Sequence, residues 1–218
     1  MTAPEPNVKK LSLINRVLHT AWMAILLGIL LQLAIVGLGM AFGKDHQPWR
    51  VIAEALQKIS WSFLVCVALI VGLGASNLRA SMGAVCGFIG APLAFLAAKA
   101  IHKGAAAGMG VTLNATNTAP SPEAWLVALI KALQYAALGC VLGWLSRKPF
   151  GGALAYMCSG LMAGLIFGGV IVYLAAEAQP KPPDISFWVI RGANEVIFPV
   201  GCSMIAFSVE ALGRRLKE

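Results

Sequence analysis

Apolar residues run in long stretches along this chain, and short polar segments separate the stretches. Six stretches come close to or exceed the roughly 18 to 20 residues that a helix needs to cross the hydrocarbon core of a bilayer. They predict helices at about 19–42, 52–76, 80–101, 123–146, 151–176 and 187–212. The pattern therefore predicts an all-α, polytopic membrane protein with a single transmembrane domain over residues 1–218.

The first apolar stretch follows a basic segment, as the apolar core of a secretory signal would. It stays apolar for more than about twenty residues, which is longer than a signal core, and it leads into further spans. We therefore interpret it as a retained first helix. The segment just before it, Val8–Leu18, has two interpretations. It is either a short helix lying on the inner leaflet or a plain extension of the first helix.

Basic residues are concentrated on one side of the predicted spans. That side carries Lys9, Lys10, Arg16, Arg79, Arg147, Lys148, Arg214, Arg215 and Lys217. The opposite loops have fewer basic residues, namely Lys44, Arg50, Lys103 and Lys181. Because positive charge favours the cytoplasmic side, the distribution predicts a plasma (inner) membrane protein with both termini in the cytoplasm.

Composition supports this prediction, since 59% of the residues are hydrophobic and only 12% are charged. Soluble domains carry about twice that share of charge. The net charge of +8 is spread over the span ends rather than gathered in one stripe, so nucleic acid is not an expected partner. The expected partners are the lipid bilayer and other membrane protein subunits.

A weak internal repeat also follows the hairpins. Each even-numbered span has a tryptophan near its outer start and a cysteine 14 to 17 residues later. The pairs are Trp49 with Cys66, Trp125 with Cys140, and Trp188 with Cys202. The repeat favours three tandem helical hairpins, although tryptophan prefers the membrane interface in any case.

Small residues spaced four apart predict where helices touch, because they let neighbouring backbones approach closely. The third and fifth spans have such rows. Their glycines are Gly83, Gly87, Gly160, Gly164 and Gly168.

Several polar residues fall at membrane depth, where an ionised side chain costs at least about 2.5–3.5 kcal/mol. Lys131 is separated from Arg147 by 15 residues, about 22 Å of helix, so it starts within the outer leaflet. Glu195 lies at a similar depth and could pair with Lys131, or with Arg191 one turn away. The predicted buried polar network is Lys58, Lys131, Arg191, Asn194 and Glu195.

This network has a functional and a structural interpretation. It either lines an outward-facing pocket for a small or anionic group, or forms a step in an ion path. Alternatively it is a structural ion pair, with lysines that extend to the interface. Pro92 and Pro199 would interrupt their helices, as prolines do at some transport sites and at simple kinks.

No motif for nucleotide binding, zinc peptidase or serine hydrolase chemistry is present in the sequence. We therefore expect no enzymatic activity, no catalytic residues, no cofactor and no metal site. The function expected is a non-catalytic subunit of a larger bacterial-type inner-membrane assembly. The alternative is a small solute transporter or channel component with a polar site in the outer leaflet.

Overall fold

The fold was obtained as a computed structural model, which describes residues 6–44, 47–74, 78–110, 122–148 and 151–215. Within these ranges the chain forms helices and turns, and no β-strand occurs. The helices are α1 (Pro6–Ala41), α2 (Pro48–Gly74), α3 (Arg79–Gly108), α4 (Pro122–Leu145), α5 (Ala153–Ala163), α6 (Gly169–Glu177) and α7 (Ile185–Arg215). A π-helical turn, Gly164–Gly168, joins α5 to α6 without a break, so the two form one span.

The chain thus forms six helical segments that are long and apolar enough to cross a membrane. Among the described residues, this confirms the predicted all-α class and the predicted number of spans. The boundaries differ in detail. The first helix begins at Pro6 rather than near residue 19, and the third ends at Gly108 rather than near residue 101. Three helices start at a proline, a position where its missing N–H costs nothing.

The backbone decides between the two interpretations of Val8–Leu18. This segment is part of the continuous helix α1, so the separate helix on the membrane surface is not formed. No glycine or proline interrupts the chain between residues 8 and 18, and nothing therefore ends the helix there. The side chains of residues 1–13 and most of the long predicted outer loop, 111–121, lie outside the described residues.

The helices pack around a centre formed by α2, α4 and α7. Helix α3 lies against α2 and α4, α5 lies against α7, and α1 lies against α2 and α7. The centre is aromatic, because the ring of Trp61 lies 5.9 Å from that of Tyr135 and 5.9 Å from that of Phe198. Tyr135 and Phe198 are buried and belong to the main apolar cluster.

The structure places all five predicted glycines against a neighbouring helix. On α3, Gly83 lies against Gly139 and Gly87 against the Tyr135 carbonyl, so α3 and α4 touch through their backbones. A Cβ added at Gly83 would lie 2.5 Å from the Gly139 oxygen. The other three glycines, Gly160, Gly164 and Gly168, lie against α7.

Ion pairs mark the two ends of the bundle. At one end Lys44 approaches Asp184 at 3.5 Å, which links the segment after α1 to the segment before α7. Asp184 also caps α7, since its carboxylate accepts hydrogen bonds from the Ser186 hydroxyl and the Phe187 N–H. These bonds lower the pKa of Asp184. At the other end Arg79 pairs with Glu210 at 2.9 Å.

Candidate functional site

Among the described residues, the most buried charged side chains are those of Lys131 on α4 and Glu195 on α7, which are in direct contact. Only 7% of Lys131 and 8% of Glu195 is exposed. Because both side chains are almost inaccessible to water, each charge is stabilised by the other and by neighbouring polar groups. The lysine also donates a 3.3 Å hydrogen bond to the side-chain carbonyl of Gln134.

Gln134 extends this group to the fifth span. It is fully buried, and its Nε2 donates to the backbone carbonyl of Ala163 at 3.2 Å. Ala163 is the last residue of α5 before the π turn. A π turn changes the hydrogen-bond register from four residues to five, and the amide of Gln134 supplies a donor at this change of register. Lys131, Glu195, Gln134 and the π turn are referred to below as the polar centre.

The π turn lies directly against Glu195. A Cβ added at Gly168 would come within 2.8 Å of the Glu195 Cβ, and one at Gly164 within 2.9 Å of the Val196 Cα. Only glycine permits this approach, and glycine begins and ends the turn. Single π turns inside α-helices are frequent at functional sites. The sequence signal for this contact was the glycine row, but the row did not reveal the extra residue in the turn.

Pro199 affects the same part of α7. A proline has no N–H, so the carbonyl of Glu195, four residues earlier, cannot receive its usual helical hydrogen bond. That carbonyl faces the π turn, 3.1 Å from the position of a Cβ on Gly164. Glu195 therefore presents both a carboxylate and a backbone oxygen to its neighbours, at a point where two adjacent helices are irregular.

Aromatic rings close the polar centre on the side of α2 and α3. The Lys131 ammonium lies 5.7 Å from the centroid of the Trp61 ring, within reach of a cation–π interaction. Phe95 on α3 packs edge-on against Trp61 at 6.3 Å. Lys99, one turn further along α3, lies over the Phe95 ring at 4.8 Å.

Positive charge collects beyond these rings. Lys99 is within electrostatic reach of Lys103 on its own helix and of Arg191 on α7. Among the described residues, no carboxylate lies within ion-pair distance of Lys99 or Arg191. We call Lys99 and Arg191 the cationic rim. Like charges brought together in this way repel one another unless an anion joins them.

One predicted member of the network, Lys58, is placed differently from the prediction. Lys58 does not join Lys131 and Glu195; it donates to the Gln32 side chain at 2.5 Å and lies 3.8 Å from Glu54. Gln32, on α1, is buried and was missed by the sequence prediction. This second polar group lies between α1 and α2.

The remaining two members do not pair with Glu195. Arg191 is exposed, and its guanidinium lies 5.8 Å from the centroid of the Phe187 ring instead of reaching the carboxylate. The side-chain oxygen of Asn194 is buried without a hydrogen-bond partner among the described residues. The structure thus brings together Lys131 and Glu195, whereas Lys58, Arg191 and Asn194 do not join this contact.

The described part of the chain holds no group of three or more histidine, cysteine, aspartate or glutamate side chains placed to share a metal ion. Comparison with protein-family models, with curated proteins and with solved structures finds no match to this chain.

Proposed function

We propose that this protein is a small membrane transport component that takes up a small anion through the polar centre. The observation that carries the proposal is the buried contact between Lys131 and Glu195 beside a π turn. Two charges in the membrane are costly, and irregular helices at the same level are typical of transport sites, where the backbone must rearrange.

The cationic rim supports an anion as the solute. Lys99 and Arg191 lie outward of Trp61 and Lys131 and would attract a small carboxylate or phosphate to this end of the bundle. Inside, the anion would replace Glu195 as the partner of Lys131. Glu195 would then take up a proton, because a bare carboxylate without its partner is unfavourable at that depth. Uptake of the anion would therefore be coupled to a proton.

This proposal includes an orientation. Both termini lie in the cytoplasm, the polar centre lies in the outer leaflet of the inner membrane, and the spans form three tandem hairpins. The ion pairs at the two ends of the bundle support it, since the Lys44–Asp184 pair and the Arg79–Glu210 pair lie on opposite predicted sides.

Anion binding by purified protein tests the proposal, with inorganic phosphate and acetate as probes in titration calorimetry. Lys131→Met removes the ammonium and should weaken binding about tenfold or more, as expected for a lost charge-assisted bond. Glu195→Gln removes the competing carboxylate, so it should tighten binding and abolish the proton uptake that accompanies it. Binding by the unmodified protein should strengthen as the pH falls.

Lys44→Met is the matched control, because Lys44 is an exposed lysine at the same predicted end and forms its ion pair with the exposed Asp184. It should leave binding unchanged. If the unmodified protein bound neither phosphate nor acetate, or if Lys131→Met and Lys44→Met behaved alike, the transport proposal would be wrong.

A second candidate is the non-catalytic subunit of a larger membrane assembly. It is favoured by glycines inside spans that face away from the bundle, namely Gly37, Gly104, Gly169 and Gly192, where an added Cβ would have no atom within 4 Å. Bare backbone of this kind lets a helix of another subunit approach closely. A stable partner retained at purification in mild detergent, together with absent anion binding, would favour this candidate.

A further inference from the structure

Two of the five cysteines meet in the interior. The Sγ atoms of Cys66 on α2 and Cys202 on α7 are 3.0 Å apart, although 136 residues separate them in sequence. Both are free thiols, and only 2% of each residue is exposed. A disulfide bond is about 2.05 Å long, so the two sulfur atoms need to move by only about 1 Å to form one.

The surroundings restrict what could oxidise these thiols. Cys66 and Cys202 belong to the same buried apolar cluster as Tyr135 and Phe198, and neither is exposed to solvent. A charged, water-soluble oxidant would have to enter this cluster from outside the membrane. A lipid-soluble two-electron oxidant, such as a membrane quinone, dissolves in the bilayer around the bundle, so its path into this cluster would stay apolar throughout.

We propose that Cys66 and Cys202 form a reversible dithiol–disulfide centre that exchanges electrons with a membrane quinone. In the forward step the two thiols lose two protons and two electrons, the Sγ–Sγ bond forms, and the quinone takes up both to become a quinol. The reverse step needs a quinol or a thiol reductant. No other group in the protein changes oxidation state.

The bond would have a mechanical consequence. Helix α2 packs mainly on α1 and α3 and meets α7 over a shorter stretch, so a covalent link there adds a constraint that packing does not supply. Cys202 lies seven residues, about two helical turns, inward of Glu195 on the same helix. The oxidised form would therefore hold α2 and α7 together just inward of the polar centre.

The test uses the full-length protein in lipid nanodiscs, reduced first and then incubated with a short-chain quinone. After unfolding, free thiols are alkylated and the peptides are identified by mass spectrometry. The expected result is a linked Cys66–Cys202 peptide, loss of the alkyl label from these two residues, and full labelling of Cys86, Cys140 and Cys158. Dithiothreitol should restore all five labels.

Two variants serve as a matched pair. Cys202→Ser should abolish the link and leave Cys66 labelled, whereas Cys140→Ser, at an exposed cysteine on α4, should leave the link intact. A copper–phenanthroline sample is run in parallel. Linking by copper–phenanthroline but not by the quinone would overturn the redox step, and failure of both reagents would overturn the pairing itself.

Discussion

Burial of two charged side chains, those of Lys131 and Glu195, is energetically costly for this fold. The ammonium and the carboxylate both lose their hydration. Their mutual attraction offsets that loss only while the contact between them and the hydrogen bond to Gln134 persist. Such a pair adds little net stability compared with an apolar pair, but it strongly disfavours any state in which one charge is left alone. This difference can be measured.

Breaking the pair on one side should cost more than removing both charges. Lys131→Met or Glu195→Leu leaves one buried charge without a partner and should lower the free energy of unfolding by about 3–5 kcal/mol. The double variant should be clearly more stable than either single variant. Thermal unfolding in mild detergent measures all three, with Lys44→Met, at an exposed ion pair, as the control that should change little. Additive losses in the double variant would show that the two residues do not depend on each other.

At this scale the sequence predicted the relative height of two side chains along the bundle correctly, and the direction of others poorly. Counting residues to the nearest cytoplasmic charge placed Lys131 and Glu195 at one level, and the structure shows them in contact. The hairpin repeat, in which Lys58 lies eight residues before Cys66, placed Lys58 in that layer, but Lys58 points to Gln32 on α1. Residue counting along a helix gives the height of a side chain and not the side of the bundle toward which it turns, which depends on how the helices are arranged.

At the scale of helices, close backbone contact replaces the hydrophobic drive that lipid removes. Two spans make such backbone contacts through glycines. Helix α3 lies against α4 through Gly83 and Gly87, and the fifth span lies against α7 through its three glycines. The glycine rows were predicted from spacing alone, because a row of small residues marks a helix face whatever the neighbour is.

The contact of α3 with α4 should fail when one methyl group is added. Gly87→Ala would push a Cβ into the Tyr135 carbonyl, which is backbone and cannot turn aside, and should destabilise the protein by about 1–3 kcal/mol. Gly104→Ala, on the same helix, meets no atom within 4 Å and should be neutral or gain up to about 1 kcal/mol from helix propensity. Equal midpoints of thermal unfolding for the two variants would contradict the packing described here.

The π turn shows the limit of prediction for this element. The residues from Gly164 to Gly168 read Gly-Leu-Ile-Phe-Gly, an apolar segment as suitable for an α-helix as its flanks. One extra residue per turn changes only the hydrogen-bond register, which leaves no trace in hydropathy or spacing over so short a stretch. The donor that meets it, Gln134, comes from another helix 29 residues away.

For the whole molecule, one ion pair at each end links segments that the sequence predicts to lie on the same side of the membrane. The Lys44–Asp184 pair joins two segments predicted to lie outside, and the pair of Arg79 with Glu210 joins two residues predicted to lie near the cytoplasmic side. Three tandem helical hairpins would place the members of each ion pair on the same side of the membrane. The direction in which the bundle is inserted depends on the basic residues near the span ends.

Cysteine labelling of intact cells determines that direction. Lys44→Cys and Asp184→Cys should react with a membrane-impermeant maleimide added from outside, because both positions are exposed at the predicted outer end. Lys148→Cys, in the short turn after α4, should react only after the cells are permeabilised. The native cysteines lie within the spans, and the unmodified protein measures their contribution to the background signal. Labelling of Lys148→Cys from outside would reverse the orientation and place the polar centre in the inner leaflet. Labelling of Lys44→Cys and Asp184→Cys from opposite sides would be incompatible with an ion pair between them, and therefore with the bundle itself.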